Sequence, residues 1–263
     1  MMTADEQLEF YRTRFGRLVT SAQRQRFWSD LSRSNLDVMS AALRQAEAAA
    51  KRANRPPTDV RLAVLAQYER IAGSMSQLFP VFFIFESAWR SYVAVALKAI
   101  YGSDDWWHGV RDAVAGGSDT SPITVLGGRQ ASTELVRTVT HVLTGVRGCG
   151  GLETTYELVE ESSLGHLGKL IEGHWGSIAA GLNGATPAGP PTWSRFEPLW
   201  RRVRQARNDA YHHRVVSDRT KVVAAAEQLL DLLDVHLGSR WSGVTGVTLN
   251  PPAFALPMQA RHQ

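Results

Sequence analysis

Cysteine is almost absent from this chain. The 263 residues contain one, Cys149. A single cysteine forms no internal disulfide and supplies no thiolate cluster for a structural metal. The sequence therefore argues against a disulfide-stapled secreted domain and predicts a protein of the reducing cytoplasm.

Long uncharged hydrophobic runs are also missing. The longest apolar segment, 81–100, is interrupted by Glu86, Arg90 and Lys98, so it predicts a buried helix and not a membrane span. The first residues carry acidic side chains ahead of the first arginine, and no apolar stretch follows, unlike a signal peptide. We expect no association with a membrane.

The alternating pattern of β-strands is scarce, and its best example is the short segment 244–249. Apolar residues instead recur at steps of three and four, which is typical of amphipathic helices. Such spacing predicts helices over 5–55, 60–75, 80–100, 131–147, 163–180, 192–214 and 219–237. The glycine- and proline-containing segment 102–130 is predicted to be mostly loop. The expected fold class is all-α.

Three regions are expected along the chain. Residues 1–75 form a basic helical N-terminal extension with twelve basic and eight acidic residues. Residues 78–237 form the main helical domain. Residues 238–263 contain proline without periodicity and predict an irregular tail.

Basic side chains concentrate in one segment, 195–221. It holds eight basic and three acidic residues, a local charge of +5 in a chain whose total is +4. The eight are Arg195, Arg201, Arg202, Arg204, Arg207, Arg214, Arg219 and Lys221. Guanidinium groups match phosphate geometry, so a polyanion is a natural partner. The alternative is a solvated helix face.

Two adjacent histidines, His212 and His213, lie inside this basic segment. Histidine titrates near neutral pH and can transfer protons on a phosphate ester. RNA brings its own nucleophile, the 2′-hydroxyl, so cleavage requires a base, an acid and cationic groups at the phosphate. DNA lacks that hydroxyl. We expect RNA cleavage without a metal or another cofactor.

Helix geometry separates the two groups that this chemistry needs. At about 100° per residue, Arg207 and His212 lie roughly 140° apart around one helix, whereas Arg207 and Tyr211 share a face. Two copies of the helix packed about a twofold axis could place an Arg-His set from each chain around one phosphate. A homodimer is therefore part of the catalytic hypothesis.

The segment Arg207-Asn208-x-x-x-His212 resembles the RNxxxH signature of HEPN domains, small helical bundles of many prokaryotic toxin and phage-defence RNases. Its context, from Arg207 to Arg214, is similar to the abortive-infection (Abi-like) branch. Upstream, Glu86-x-x-x-Arg90 resembles the first core helix of that branch. Three short segments resemble further conserved features of the same branch: Tyr101-Gly102, Trp106-Trp107 and Leu164-Gly165-His166-Leu167. The resemblance covers about 78–236 and not the first 75 residues.

The resemblance implies a metal-independent endoribonuclease with a composite site at a dimer interface. Arg207 and His212 match the catalytic residues, and Asn208 matches a polar support. We expect further support from Glu86, Arg90 and His213. RNA binding is expected at Arg201, Arg204 and Arg214.

The resemblance does not decide which protein would be the partner of this chain. An antitoxin or regulatory protein is possible, but the nucleotidyltransferase antitoxin of one sub-branch accompanies a tyrosine where this chain has Arg214. That particular partner is not expected.

Each of these residues has an alternative without catalysis. Glu86 and Arg90 are spaced as an intrahelical ion pair, and His213 is placed to end a helix. Tyr211 is predicted to lie in the core, and Trp106-Trp107, in a loop, could stack on bases. At the level of function, the alternatives are a non-catalytic HEPN-like module that binds RNA or protein, and a purely structural helical protein.

Overall fold

The structure is a computed structural model that describes residues 2–15, 21–54, 57–183 and 191–237. Its helices are α1 (Ala4–Phe15), α2 (Ser21–Leu31), α3 (Leu36–Ala53), α4 (Val60–Ser76), α5 (Phe79–Tyr101), α6 (His108–Ala115), α7 (Thr133–Thr144), α8 (Thr155–Glu160), α9 (Leu164–Gly173), α10 (Trp175–Ala180), α11 (Trp193–Tyr211) and α12 (Arg219–Asp231). Strands β1 (Val125–Leu126) and β2 (Arg129–Gln130) pair antiparallel, with Val125 opposite Gln130. The predicted all-α fold class is confirmed. The predicted strand 244–249 and tail 238–263 lie outside the described residues.

The chain divides into two compact units. The first combines Met1–Pro80 with Gln205–Arg219, and the second combines Val81–Arg204 with the described residues from Thr220 onward. This division differs from the expected one, because the segment carrying Arg207 and His212 groups with the N-terminal residues and not with the rest of 78–237.

The first unit is built on capped helices and a shared apolar core. The side chain of Asn35 accepts hydrogen bonds from the backbone N–H groups of Asp37 and Val38, each at 3.0 Å, and so begins α3. Arg61 of α4 binds both carboxylate oxygens of Asp30 in α2, at 2.6 and 2.8 Å. The core is formed by buried apolar residues of α1 to α4, among them Tyr11, Phe27, Met39, Leu43 and Val64.

The second unit is organised around aromatic side chains. Trp89 of α5 is fully buried and makes edge-on contacts with Phe196 and Trp200 of α11, with ring centroids 5.1 and 5.6 Å apart. Phe85 meets Trp200 at 5.2 Å. Such pairs add to the stabilisation that burial of the rings already gives, so α5 and the first half of α11 form the centre of this unit.

Helix α5 behaves as the buried helix that the sequence predicts. Eight of its side chains are buried: Val81, Phe82, Ile84, Phe85, Trp89, Val93, Ala94 and Leu97. By length and composition alone, the stretch Val60–Tyr101 would also suffice to cross a membrane. The expected absence of a membrane therefore stays a prediction.

Two segments differ from the sequence-based expectation. The predicted loop 102–130 contains α6 and the short β1–β2 hairpin. The predicted helix 163–180 is two helices, because α9 ends at Gly173, α10 begins at Trp175, and His174 lies between them.

Candidate RNA-cleavage site

The Arg207–His212 motif lies at the C-terminal end of α11, within the first unit. Arg207 and Asn208 are in the last turns of the helix and are partly buried. His212 follows the last helical residue and is exposed, while its backbone N–H still donates to the Asn208 carbonyl at 3.0 Å. The motif thus presents an imidazole to solvent from the end of a helix.

His213 ends the helix through its backbone. Its φ of 55° is left-handed, a conformation in which histidine is enriched among non-glycine residues. The N–H of His213 donates to Ala210 at 3.0 Å, and the N–H of Arg214 donates to Asp209 at 2.7 Å. These two bonds form a Schellman motif. His213 therefore ends the helix through its backbone conformation, while a contact of its side chain with substrate stays a prediction.

The chain just beyond the motif is attached to α3. The N–H of Val215 donates to the Asp37 carboxylate at 2.9 Å, although 178 residues separate the two. Val215 also packs against the core of the first unit, and Val216 is buried. Residues of the N-terminal region therefore hold the end of α11 in place, a role that no local sequence pattern indicates.

Tyr211 lies at the surface and not in the core. The predicted core position is wrong, because 46% of the residue is exposed. The Cζ atom of Arg207 lies 4.0 Å from the centroid of the Tyr211 ring, which is cation–π geometry. Phe79, 36% exposed, approaches the same ring with centroids 5.4 Å apart. Arg207 is thus held against an aromatic surface that is open to solvent.

Glu86 and Arg90, two of the predicted supporting residues, lie in the second unit. Arg90 donates to the carbonyls of Val159 and Glu160 at 2.5 and 2.8 Å, and its distance to Glu86 is 3.5 Å. Its side chain is largely buried. Arg90 therefore satisfies carbonyls at the end of α8, and its 3.5 Å contact with Glu86 matches the predicted intrahelical ion pair. A supporting role of the two residues in the site stays a prediction.

The predicted RNA-binding arginines are divided between the units. Arg214 is exposed in the first. In the second, Arg201 and Arg204 line an open groove of about 480 Å³ together with Lys169. Carboxylates share this groove, since Glu197 lies 3.6 Å from Arg201 and Glu172 lies 3.2 Å from Lys169. The groove is therefore of mixed charge.

Trp106 and Trp107 are both buried, so the prediction that they stack on bases is wrong. The indole N–H of Trp106 donates to Thr155 Oγ1 at 3.0 Å, and its ring stacks on Tyr101 with centroids 4.4 Å apart. These tryptophans serve the packing of the second unit.

His174 is a half-buried histidine beside this stack, and both of its ring nitrogens have partners. Its Nδ1 lies 2.8 Å from the Leu170 carbonyl and its Nε2 lies 2.9 Å from the Tyr101 hydroxyl. Since a carbonyl only accepts, Nδ1 carries the proton and Nε2 accepts from the tyrosine. Burial lowers the pKa of His174 below its usual value, and the charge of Arg129 lowers it further against a backbone hydrogen bond that raises it.

A metal site was not expected, and the described part of the chain contains no group of three or more His, Cys, Asp or Glu residues placed to hold one ion.

Comparison with protein-family models, with curated proteins and with solved structures finds no match to this chain. The likeness to HEPN domains therefore rests on the motifs quoted above.

Proposed function

We propose that the protein is a metal-independent endoribonuclease whose active site contains Arg207 and His212. The observation that supports it best is their placement, with an exposed imidazole and an oriented guanidinium at one end of α11. The segment that follows is anchored to α3 through Val215 and Asp37, so the site is held by contacts far apart in the sequence.

The chemistry assigns one role to each residue. A base removes the proton of the RNA 2′-hydroxyl, whose oxygen attacks the adjacent phosphorus. The bond from phosphorus to the 5′-oxygen breaks, and an acid returns a proton to that oxygen, which leaves a 2′,3′-cyclic phosphate and a 5′-hydroxyl. His212 is the proton-transfer group, and Arg207 stabilises the charge on the phosphate.

A homodimer completes this proposal. One chain offers one histidine that matches the motif, His212, whereas the reaction needs a base and an acid. A second copy of the helix end about a twofold axis would supply the other histidine and a second arginine.

Cleavage of total RNA in EDTA tests the catalytic claim. Wild-type protein should cut, and His212→Ala should not, while its thermal midpoint and sedimentation stay unchanged because His212 is exposed. The matched control is His141→Ala, which removes an exposed histidine from α7. Cleavage by His212→Ala, or activity only after metal is added, would contradict the proposal.

Mixing wild-type protein with the His212→Ala variant tests the composite site. With equal amounts and random pairing, about half of the dimers combine one wild-type chain with one variant chain and hold a single intact histidine. If the site needs the histidine of both chains, a fixed amount of wild-type protein should lose about half of its activity on mixing. Unchanged activity after the chains have exchanged would mean that the site does not combine residues of two chains.

The alternative is a non-catalytic RNA-binding module, which the exposed cation–aromatic cluster at Tyr211 also favours. It predicts salt-sensitive RNA binding without cleavage by the wild-type protein.

We further propose that the nuclease acts in the cytoplasm as part of a toxin or phage-defence system, with an antitoxin or regulatory protein to restrain it. Expression of the wild-type protein should then arrest growth, and expression of His212→Ala should not.

A further inference from the structure

Tyr211, Phe79 and Arg207 form a compact cluster that packing of the core does not require. Tyr211 and Phe79 are 46% and 36% exposed, and the Cζ atom of Arg207 lies 4.0 Å from the centroid of the tyrosine ring. We call Tyr211 and Phe79, with Arg207 against them, the aromatic platform.

The platform is held in a defined position. Tyr211 is the last residue of α11, and the Schellman hydrogen bonds of His213 and Arg214 fix the turn that follows it. The bond from Val215 to Asp37 ties the next segment to α3. A ligand that binds these rings therefore meets a surface whose order has already been established, which lowers the entropic cost of binding.

The exposed area fits a small planar group better than a protein. An aromatic side chain buries about 150–250 Å² when fully packed, so two rings exposed by less than half leave roughly 150 Å². A stable protein interface needs about 800 Å² from each partner. A nucleobase, by contrast, stacks on a single ring.

Charge selects among planar ligands. Arg207 touches the platform, and Arg214 is exposed three residues beyond Tyr211. Cationic groups beside aromatic rings are the combination that binds single-stranded nucleic acid, because the rings stack on bases while the arginines bind the backbone.

We propose that the aromatic platform is a binding site for one unpaired RNA base, stacked on Tyr211 with Phe79 at its edge. Its place next to the cleaved phosphate rests on the proposed function, but the binding itself does not. A base held there would leave its phosphate near Arg207 and would make the protein select single-stranded segments, since bases within a duplex are already stacked.

Binding is measured without cleavage by using a 2′-O-methyl single-stranded oligonucleotide, which lacks the nucleophilic hydroxyl. Fluorescence anisotropy should show Kd about tenfold weaker for Tyr211→Leu, toward the lower end of the range for loss of one base–aromatic stack. Tyr211→Phe should bind as wild type because it keeps the ring. Tyr156→Leu, which removes a tyrosine that is 51% exposed in α8, is the matched control and should also bind as wild type.

A second variant, Phe79→Leu, keeps an apolar side chain and should weaken binding several-fold. Binding of a blunt duplex of the same sequence should not change in Tyr211→Leu. Wild-type affinity in Tyr211→Leu, or equal losses in the phenylalanine and leucine variants, would overturn the proposal. So would absence of binding by the wild-type protein, or a change in sedimentation of Tyr211→Leu in place of a change in RNA affinity, which would assign the rings to a subunit interface.

The two proposals fail separately. If the wild-type protein binds the methylated strand through Tyr211 but leaves RNA intact, the platform stands and the nuclease assignment is wrong. If it cuts RNA and Tyr211→Leu binds the strand as wild type, the nuclease assignment stands and the platform is wrong.

Discussion

Replacing Gly168 with alanine should destabilise the second unit more than an ordinary helix substitution. Gly168 is a buried residue of α9. A methyl group there would lie 2.7 Å from Nε1 and 3.3 Å from Cδ1 of Trp200. That indole is 3% exposed, and its N–H donates to the Leu164 carbonyl at 3.3 Å. The added methyl must therefore move a large ring away from its hydrogen-bond acceptor.

Three contributions set the magnitude. Overpacking of a well-packed core costs about 1–3 kcal/mol, and leaving the buried indole N–H of Trp200 without its acceptor costs about 1–3 kcal/mol. Alanine is favoured over glycine within a helix by about 1 kcal/mol, which offsets part of that loss. The free energy of unfolding should therefore fall by about 3 kcal/mol.

The control lies in the same helix. A methyl group at Gly173 meets nothing within 4 Å, so Gly173→Ala should be neutral or stabilising by up to about 1 kcal/mol. Urea unfolding followed by tryptophan fluorescence compares the two variants, and a loss of 3 kcal/mol should lower the midpoint by at least about 1 M. Equal midpoints for both variants would refute the assignment of Gly168 to a close helix contact.

Further predictions concern contacts that hold each unit. Arg90→Ala should lower the free energy of unfolding by about 2 kcal/mol, since two carbonyls of α8 lose their donor. RNA cleavage per folded molecule should be unchanged, and a loss of activity without a loss of stability would contradict this structural role. Asp30→Asn should cost about 1–2 kcal/mol in thermal or urea unfolding because the two-pronged bond to Arg61 is lost, and wild-type stability would show that the pair contributes little. The folded protein holds the pKa of His174 below 6.5, so protonation of this residue favours unfolding, and the free energy of unfolding should decline as the pH falls below about 6.5. His174→Gln should reduce that decline, and an unchanged dependence of stability on pH would contradict the prediction.

The helical fold was predictable because its signal is local. Wide apolar faces at three- and four-residue spacing identify α5 and α7, and both helices bury those faces. Helix α6 was missed because it has eight residues and only Val110 among them is buried. The break at His174 was missed for a different reason, since the apolar pattern continues from α9 into α10.

The candidate site was predictable in position but not in support. The motif predicts a helix end that carries Arg207 and His212, and the structure places both there. The hydrogen bond from Val215 to Asp37 spans 178 residues and that from Arg90 to Val159 spans 69. Contacts between distant residues leave no periodic pattern in the sequence, so neither the anchoring of α11 nor the role of Arg90 could be read from it.

Tyr211 shows why an aromatic residue on a core helix need not belong to the core. The buried face of α11 near its end is marked by Val203, Ala206 and Ala210, each at most 5% exposed. Tyr211 follows Ala210 by one residue, so its side chain points about 100° away from that face, on the side that it shares with Arg207. Its ring is consequently only about half covered, and Tyr211→Leu, which keeps an apolar side chain, should change the free energy of unfolding by no more than about 1 kcal/mol. Any larger change in RNA affinity then reports on recognition and not on folding.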